Sequence, residues 1–108
     1  MREVEYEHEL GENAFALVRF KRERKQIQGF VVQLERVYDG ERHIIIRYDA
    51  SHGFAHSDTM RPNRSETKVE LNLDFNRAFT FAQRDISQNW KFYCERYERW
   101  LNESKKQK

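Results

Sequence analysis

The residues best suited to chemistry follow Arg47 within a short stretch of the chain. They are Asp49, His52, His56 and Asp58, and they fall within ten positions. An imidazole has an ordinary pKa of about 6.5, so two imidazoles can serve as general base and general acid near neutral pH. We predict that His52 and His56 form this catalytic pair, and that Asp49 orients one of them through its ring N–H.

An arginine beside this pair indicates that the substrate is a phosphate ester. Arg47 directly precedes the group, and Arg61 and Arg64 are alternatives further along the chain. A guanidinium binds phosphate oxygens and stabilises the charge that develops in the transition state. RNA is the simplest such substrate, because its 2′-hydroxyl is an internal nucleophile. The sequence therefore predicts metal-independent acid–base chemistry on RNA, with Arg47 as the phosphate contact and no cofactor.

Other interpretations of the same residues stay open. Two histidines with nearby carboxylates would suit zinc, which gives a metal-dependent hydrolase as one alternative. The His-x-x-x-His spacing of His52 and His56 is diagnostic on a helix, however, and Gly53 disfavours a helix there. In a third interpretation, His52 and Asp49 only hold the loop backbone through hydrogen bonds. A non-catalytic binding module in a protein pair would use the same loop as its contact surface.

Charge is unevenly distributed along the chain. Residues 1–12 hold five glutamates and one arginine, a net charge of −4, whereas the whole chain carries +2. An acidic N-terminal arm beside a basic body can compete with an anion for the basic surface, and the alternative is a solvated strand end with tails that only keep the domain soluble. The residues predicted to bind nucleic acid by charge are Arg19, Arg22, Arg24 and Lys25. A second basic segment is the tail at residues 104–108, which contains three lysines.

Composition limits the class of protein. A length of 108 residues fits one domain, residues 1–108, and an aromatic content of 14% argues against disorder although 35% of the residues are charged. The single cysteine, Cys94, excludes an internal disulfide and a cysteine-built zinc site. No apolar run is long enough to cross a membrane, and we expect no signal peptide. These features predict a cytoplasmic location without membrane contact. They do not determine the oligomeric state.

Hydrophobic periodicity predicts an α+β fold. β-Branched and aromatic residues in partial or clean alternation predict four strands, at residues 15–24, 27–37, 42–49 and 67–73. From Phe75 to about residue 103 the apolar spacing becomes three and four, which is typical of a helix, and Asp74 is its expected N-cap. The predicted architecture is an antiparallel sheet of about four strands packed against one long C-terminal helix. Residues 50–66 would form a long connection, and such loops are often functional.

The hydrophobic pattern also predicts the register of the second and third strands. Tyr38-Asp39-Gly40 suits a three-residue turn that ends with a glycine at positive φ. This turn places apolar residues opposite one another in three pairs, Phe30 with Tyr48, Val32 with Ile46, and Leu34 with Ile44. All six side chains would then lie under the helix.

The Arg-Tyr-Asp sequence at positions 47–49, followed by His52 and His56, resembles a pattern in the TumE-like toxin family of toxin–antitoxin pairs. The resemblance covers roughly residues 30–58. It implies a small prokaryotic α+β domain with a histidine-bearing loop, a cognate protein partner, and RNA as the target. The denser histidine run of that family is absent here, so the resemblance assigns no catalytic residues.

Overall fold

Six strands and one helix make up the computed structural model of this chain, which describes residues 1–50 and 53–106. The elements, in chain order, are β1 (Arg2–Gly11), β2 (Ala14–Glu23), β3 (Gln26–Tyr38), β4 (Glu41–Asp49), β5 (His56–Met60), β6 (Glu66–Glu70) and α1 (Phe75–Lys106). The strands form one antiparallel sheet in sequence order. The predicted α+β class, antiparallel sheet and long C-terminal helix are confirmed, but the prediction of about four strands is wrong.

The two strands that the sequence analysis missed are polar. β1 occupies the predicted acidic arm, and it pairs with β2 from Arg2 to Gly11. β5 lies inside the predicted connection at residues 50–66 and pairs with β4 on one side and β6 on the other. β5 has no clean apolar alternation, and much of its stability comes from backbone pairing with its neighbours. β1 does alternate, since Val4, Tyr6 and Leu10 are separated by glutamates, but its acidic charge made the segment look like a solvated arm.

The β3–β4 turn has two residues rather than three. Tyr38 pairs with Glu41, and Asp39 and Gly40 between them have φ angles of 52° and 80°. Two successive positive φ values are typical of a type I′ turn, whose twist matches that of the flanking strands. The positive φ predicted for Gly40 is confirmed, whereas the three-residue turn is wrong.

A bulge at Ile45 then shifts the β3–β4 register by one residue. Leu34 pairs with Ile46, and Glu35 pairs with Ile44. Val32 pairs with Tyr48, so all three predicted pairs are wrong: Phe30 with Tyr48, Val32 with Ile46, and Leu34 with Ile44. Ile44 is 38% exposed, whereas Ile45 is 2% exposed. The extra residue restores the alternation that a two-residue turn alone would have reversed. As a result, the other five residues predicted to lie under the helix are buried, namely Phe30, Val32, Leu34, Ile46 and Tyr48.

Helix α1 packs against β3 and β4. It begins as predicted, with Asp74 Oδ1 accepting a hydrogen bond from the Arg77 N–H at 2.9 Å. Ala78 and Ala82 are fully buried, and their small side chains let the helix approach the sheet closely. No helix in the described part of the chain is both long and apolar enough to cross a membrane.

A carboxylate shared by two tyrosines joins the helix to the sheet. Asp85 accepts hydrogen bonds from the hydroxyl groups of Tyr48, on β4, and Tyr93, the latter at 2.7 Å. Burial, reinforced by the hydrogen bond to Asp85, raises the pKa of Tyr93 to about 12. The pKa of Tyr48 is raised for the same reasons. A phenol is protonated at neutral pH even at its ordinary pKa of about 10, so both hydroxyl groups donate to Asp85, and the raised pKa values extend this to more alkaline pH.

Asp85→Ala is expected to lower the free energy of unfolding by about 1–3 kcal/mol, because two part-buried hydroxyl groups lose their acceptor. Glu95→Ala, at an exposed site on the same helix, is the matched control and should stay within about 0.5 kcal/mol of the parent. Urea denaturation of both variants measures the difference. Equal stabilities of the two variants would show that the shared carboxylate does not hold the helix on the sheet.

Candidate phosphate-binding site

The candidate residues lie on the outer face of the sheet, which we define as the face opposite α1. Tyr48 points to the helix, where it contacts Asp85. Side chains alternate along a strand, so Arg47 and Asp49 on either side of Tyr48 point to the outer face. This placement follows directly from the apolar alternation of β4.

Strand pairing arranges the outer-face residues in two rows across the sheet. The first row runs from β1 to β6 through Glu5, Arg19, Val31, Asp49, His56 and Glu70. The second row is Glu7, Leu17, Gln33, Arg47, Asp58 and Lys68. Residues distant in sequence thus become neighbours. Every strand except β3 places a titratable side chain or an arginine in the first row.

Arg47 is held in a fixed position by its neighbours on this face. Its Nε and Nη2 atoms lie 3.0 and 2.9 Å from Asp49 Oδ2, and its Nη1 donates to Gln33 Oε1 at 3.3 Å. A guanidinium has five N–H donors, and these contacts use three of them. The Arg47 side chain is 32% exposed, so the head group is both ordered and accessible. This combination suits the recognition of an anion.

A cleft of about 590 Å³ opens beside Arg47, between the ends of β2, β3 and β4. Among the described residues, its basic lining consists of Arg19, Lys21 and Arg47, and its acidic lining consists of Glu3 and Asp49. Gly29 leaves open space where a side chain would otherwise point, since no atom lies within 4 Å of its Cβ position. Cationic side chains from β2 and β4 therefore line the same cleft, and its floor at Gly29 is accessible.

The acidic strand β1 contacts two of these cations. Glu3 Oε1 lies 3.3 Å from Lys21 Nζ, and Glu5 Oε1 lies 3.8 Å from Arg19 Nη1. All four side chains are more than half exposed, and exposed ion pairs are weak and sensitive to salt. An incoming anion can therefore replace the glutamates at modest cost.

His56 lies in the sheet, at the start of β5, rather than in a loop. It pairs with Asp49 across the strands, and its Nε2 lies 3.4 Å from Asp58 Oδ2. The His56 side chain is 2% exposed, and the ring of Phe54 is 5.4 Å away. An imidazole next to carboxylates is an arrangement that acid–base catalysis uses. Direct contact with a bulky substrate would require the neighbouring segments to move.

The remaining predicted residues lie elsewhere. Arg22 is near the end of β2, and Arg24 and Lys25 are in the β2–β3 turn. These three residues do not line the cleft. The carbonyl group of Lys25 accepts a hydrogen bond from Asn76 Nδ2 at 2.9 Å, which ties the turn to the start of α1. His52 lies outside the described residues.

Comparison with known proteins assigns the chain to a family. Residues 1–103 match the model of a domain of unknown function, DUF7718. The chain belongs to this family. No curated protein and no solved structure matches the chain. The resemblance of residues 30–58 to TumE-like toxins stays a prediction.

Sequence reasoning missed the residues that position Arg47 within the site. Gln33 and Arg47 are fourteen positions apart, and the β3–β4 register makes them a cross-strand pair. The available sequence signal was the polar outer face of the hairpin, where Gln33 interrupts an apolar strand. The sequence prediction also omits Lys21, which lies between Arg19 and Arg22. Residues 1–50 and 53–106 contain no group of three histidine, cysteine or carboxylate side chains placed to hold a metal ion, and His52 lies outside these ranges.

Proposed function

We propose that this protein binds RNA through its phosphates in the outer-face cleft. The observation that carries the proposal is Arg47, whose guanidinium is fixed by Asp49 and Gln33 and opens onto a cleft lined by Arg19 and Lys21. A pre-ordered arginine loses little side-chain freedom on binding and can place paired donors on phosphate oxygens.

Several features support a polyanion as the ligand. Arg19 and Lys21 follow one face of β2, so successive phosphates along a backbone can meet successive cations. Glu3 and Glu5 already contact these cations and would be displaced by the ligand. The proposal, extended by the sequence resemblance, is a toxin-like RNA-binding protein that acts in the cytoplasm beside a cognate protein partner.

Arg47→Ala is expected to weaken binding of a fluorescein-labelled single-stranded RNA by about 3- to 30-fold at about 50 mM salt, because a charge-assisted phosphate contact is lost. Fluorescence anisotropy over a series of salt concentrations should also show a slope that is shallower by roughly one. Arg99→Ala removes the same charge at an exposed site on α1 and is the matched control.

A second variant in the same binding assay tests the role of the acidic strand β1. The double variant Glu3→Gln, Glu5→Gln keeps the shape of β1, removes the competing carboxylates, and should bind the RNA more tightly than the parent. If Arg47→Ala and Arg99→Ala bind equally well, the cleft is not the site. If the parent does not bind RNA at low salt, the proposed function is wrong.

Cleavage of the bound RNA is a second candidate function. It is favoured by the pairing of Asp49 with His56 on neighbouring strands in the same row as Arg19. In this candidate His56 is the acid–base residue, with the sequence-predicted His52 as its partner. The metal-independent mechanism predicted from the sequence requires that cleavage persist in the presence of a chelator.

A further inference from the structure

The helix-facing side of β1 and β2 is only partly covered. Helix α1 packs against β3 and β4, and it reaches β1 at two points. At one point Gln83 Nε2 donates a hydrogen bond to the hydroxyl group of Tyr6 at 3.2 Å. At the other, the ring of Trp90 lies against Gly11, where a Cβ atom would approach within 2.7 Å. These contacts, together with the ring of Phe79 against that of Phe20 on β2 at 5.0 Å between centroids, hold the helix above the outer two strands of the sheet.

A groove of about 510 Å³ lies between the helix and these strands. Its floor consists of buried apolar side chains, namely Ala16, Val18, Val32 and Ile86. The volume is within the range of about 300–1,000 Å³ that is usual for small-molecule sites. An apolar chain in this groove would bury its own surface against the floor and against the Tyr6 and Leu10 side chains, which also line the groove.

The rim of the groove is polar and carries positive charge. Thr80, Ser87 and Arg84 line it from the helix, and His8 lines it from β1. No carboxylate belongs to the described lining, although 18 of the 108 residues are acidic. Arg84 forms no ion pair within the described ranges, so its charge is available to an outside group.

We propose that this groove binds a small amphipathic acid, with its apolar chain on the floor and its carboxylate group at Arg84. The apolar floor is the reason for assigning the ligand an apolar chain. The cationic rim without carboxylates is the reason for assigning it an acid group. The site lies on the opposite face of the sheet from the outer-face cleft, so the proposal does not depend on RNA binding.

Decanoate is a suitable probe of the groove. Titration followed by NMR of the methyl groups should give saturable shifts at Ala16, Val18 and Ile86, with a Kd below about 1 mM. Ser87→Trp adds an indole at the rim and should weaken binding by about tenfold or more. Gln88→Trp adds the same ring at the next exposed position, which does not line the groove, and should bind like the parent. Both sites are exposed, so both variants are expected to fold.

The charge of the ligand is tested separately. Arg84→Gln should weaken decanoate binding by about two- to fivefold, the effect of one partly exposed ion pair, and should leave the binding of decanol unchanged. The proposal is overturned if decanoate causes no saturable shifts, or if Ser87→Trp and Gln88→Trp bind it equally. Tighter binding of decanol than of decanoate would overturn the assignment of an acid.

Discussion

Ile46→Ala is expected to lower the free energy of unfolding by about 2–5 kcal/mol, the usual range for truncating a buried isoleucine. Ile46 is 4% exposed and pairs with Leu34 in the core. The matched change Ile44→Ala should cost less than about 1 kcal/mol, because Ile44 is on the other side of the bulge and is 38% exposed. Urea denaturation monitored by circular dichroism measures both values.

Comparing the stabilities of the Ile46→Ala and Ile44→Ala variants tests the β3–β4 register directly. A three-residue turn without a bulge would place both Ile44 and Ile46 under the helix, and both truncations would then be costly. Ile45→Ala supplies a third value, and it should resemble Ile46→Ala because Ile45 is 2% exposed. Similar losses at positions 44 and 46, with little loss at position 45, would contradict the bulge.

His56→Ala is expected to slow RNA cleavage by about 10²–10⁴-fold, the usual cost of losing a general acid or base. The assay follows a labelled RNA under single-turnover conditions in the presence of a chelator. The His56 side chain is 2% exposed, so its removal should also lower the free energy of unfolding, by about 1–3 kcal/mol. Rates must therefore be compared at a temperature at which every variant is fully folded.

Ser57→Ala is the matched control for this experiment. Ser57 is the next residue of β5 and is also buried, but it alternates to the side that faces the helix. Its loss should reduce stability without affecting the cleavage rate. If His56→Ala cleaves RNA as fast as Ser57→Ala, His56 serves the structure of the sheet and the catalytic assignment is wrong. If the parent does not cleave RNA in chelator, the cleavage candidate is wrong, and the Arg47 experiment decides the binding proposal independently.

Part of the candidate site could be predicted because it depends on local alternation. Arg47 and Asp49 flank Tyr48, so they share one face of the sheet in any register. The apolar pattern that places Ile46 and Tyr48 under the helix directs that shared face outward. Asp74 likewise marks the start of α1, because its carboxylate accepts from the Arg77 N–H three residues later. In both cases the determining interactions lie within a few residues of one another.

The position of His56 could not be predicted in the same way. The glycine and polar residues between positions 50 and 66 are typical of a loop, and β5 forms because β4 and β6 supply partners on both sides. Burial of His56 is therefore a property of three strands together. The same holds for Arg19 and Asp49, which are thirty positions apart and meet in one row only through the pairing of β2, β3 and β4.

The sequence by itself determined the α+β class, the long capped helix, the β3–β4 hairpin and the outward direction of Arg47 and Asp49, because these features follow from side-chain periodicity and local hydrogen bonds. The tertiary structure alone decided the bulge at Ile45, the addition of β5, and the cleft that Arg19 and Arg47 line together. The alternation of β1 was present in the sequence, although its glutamates obscured it. Backbone pairing satisfies the N–H and C=O groups of a strand whatever its side chains, so a polar segment such as β5 can enter a sheet without an apolar pattern that would reveal it.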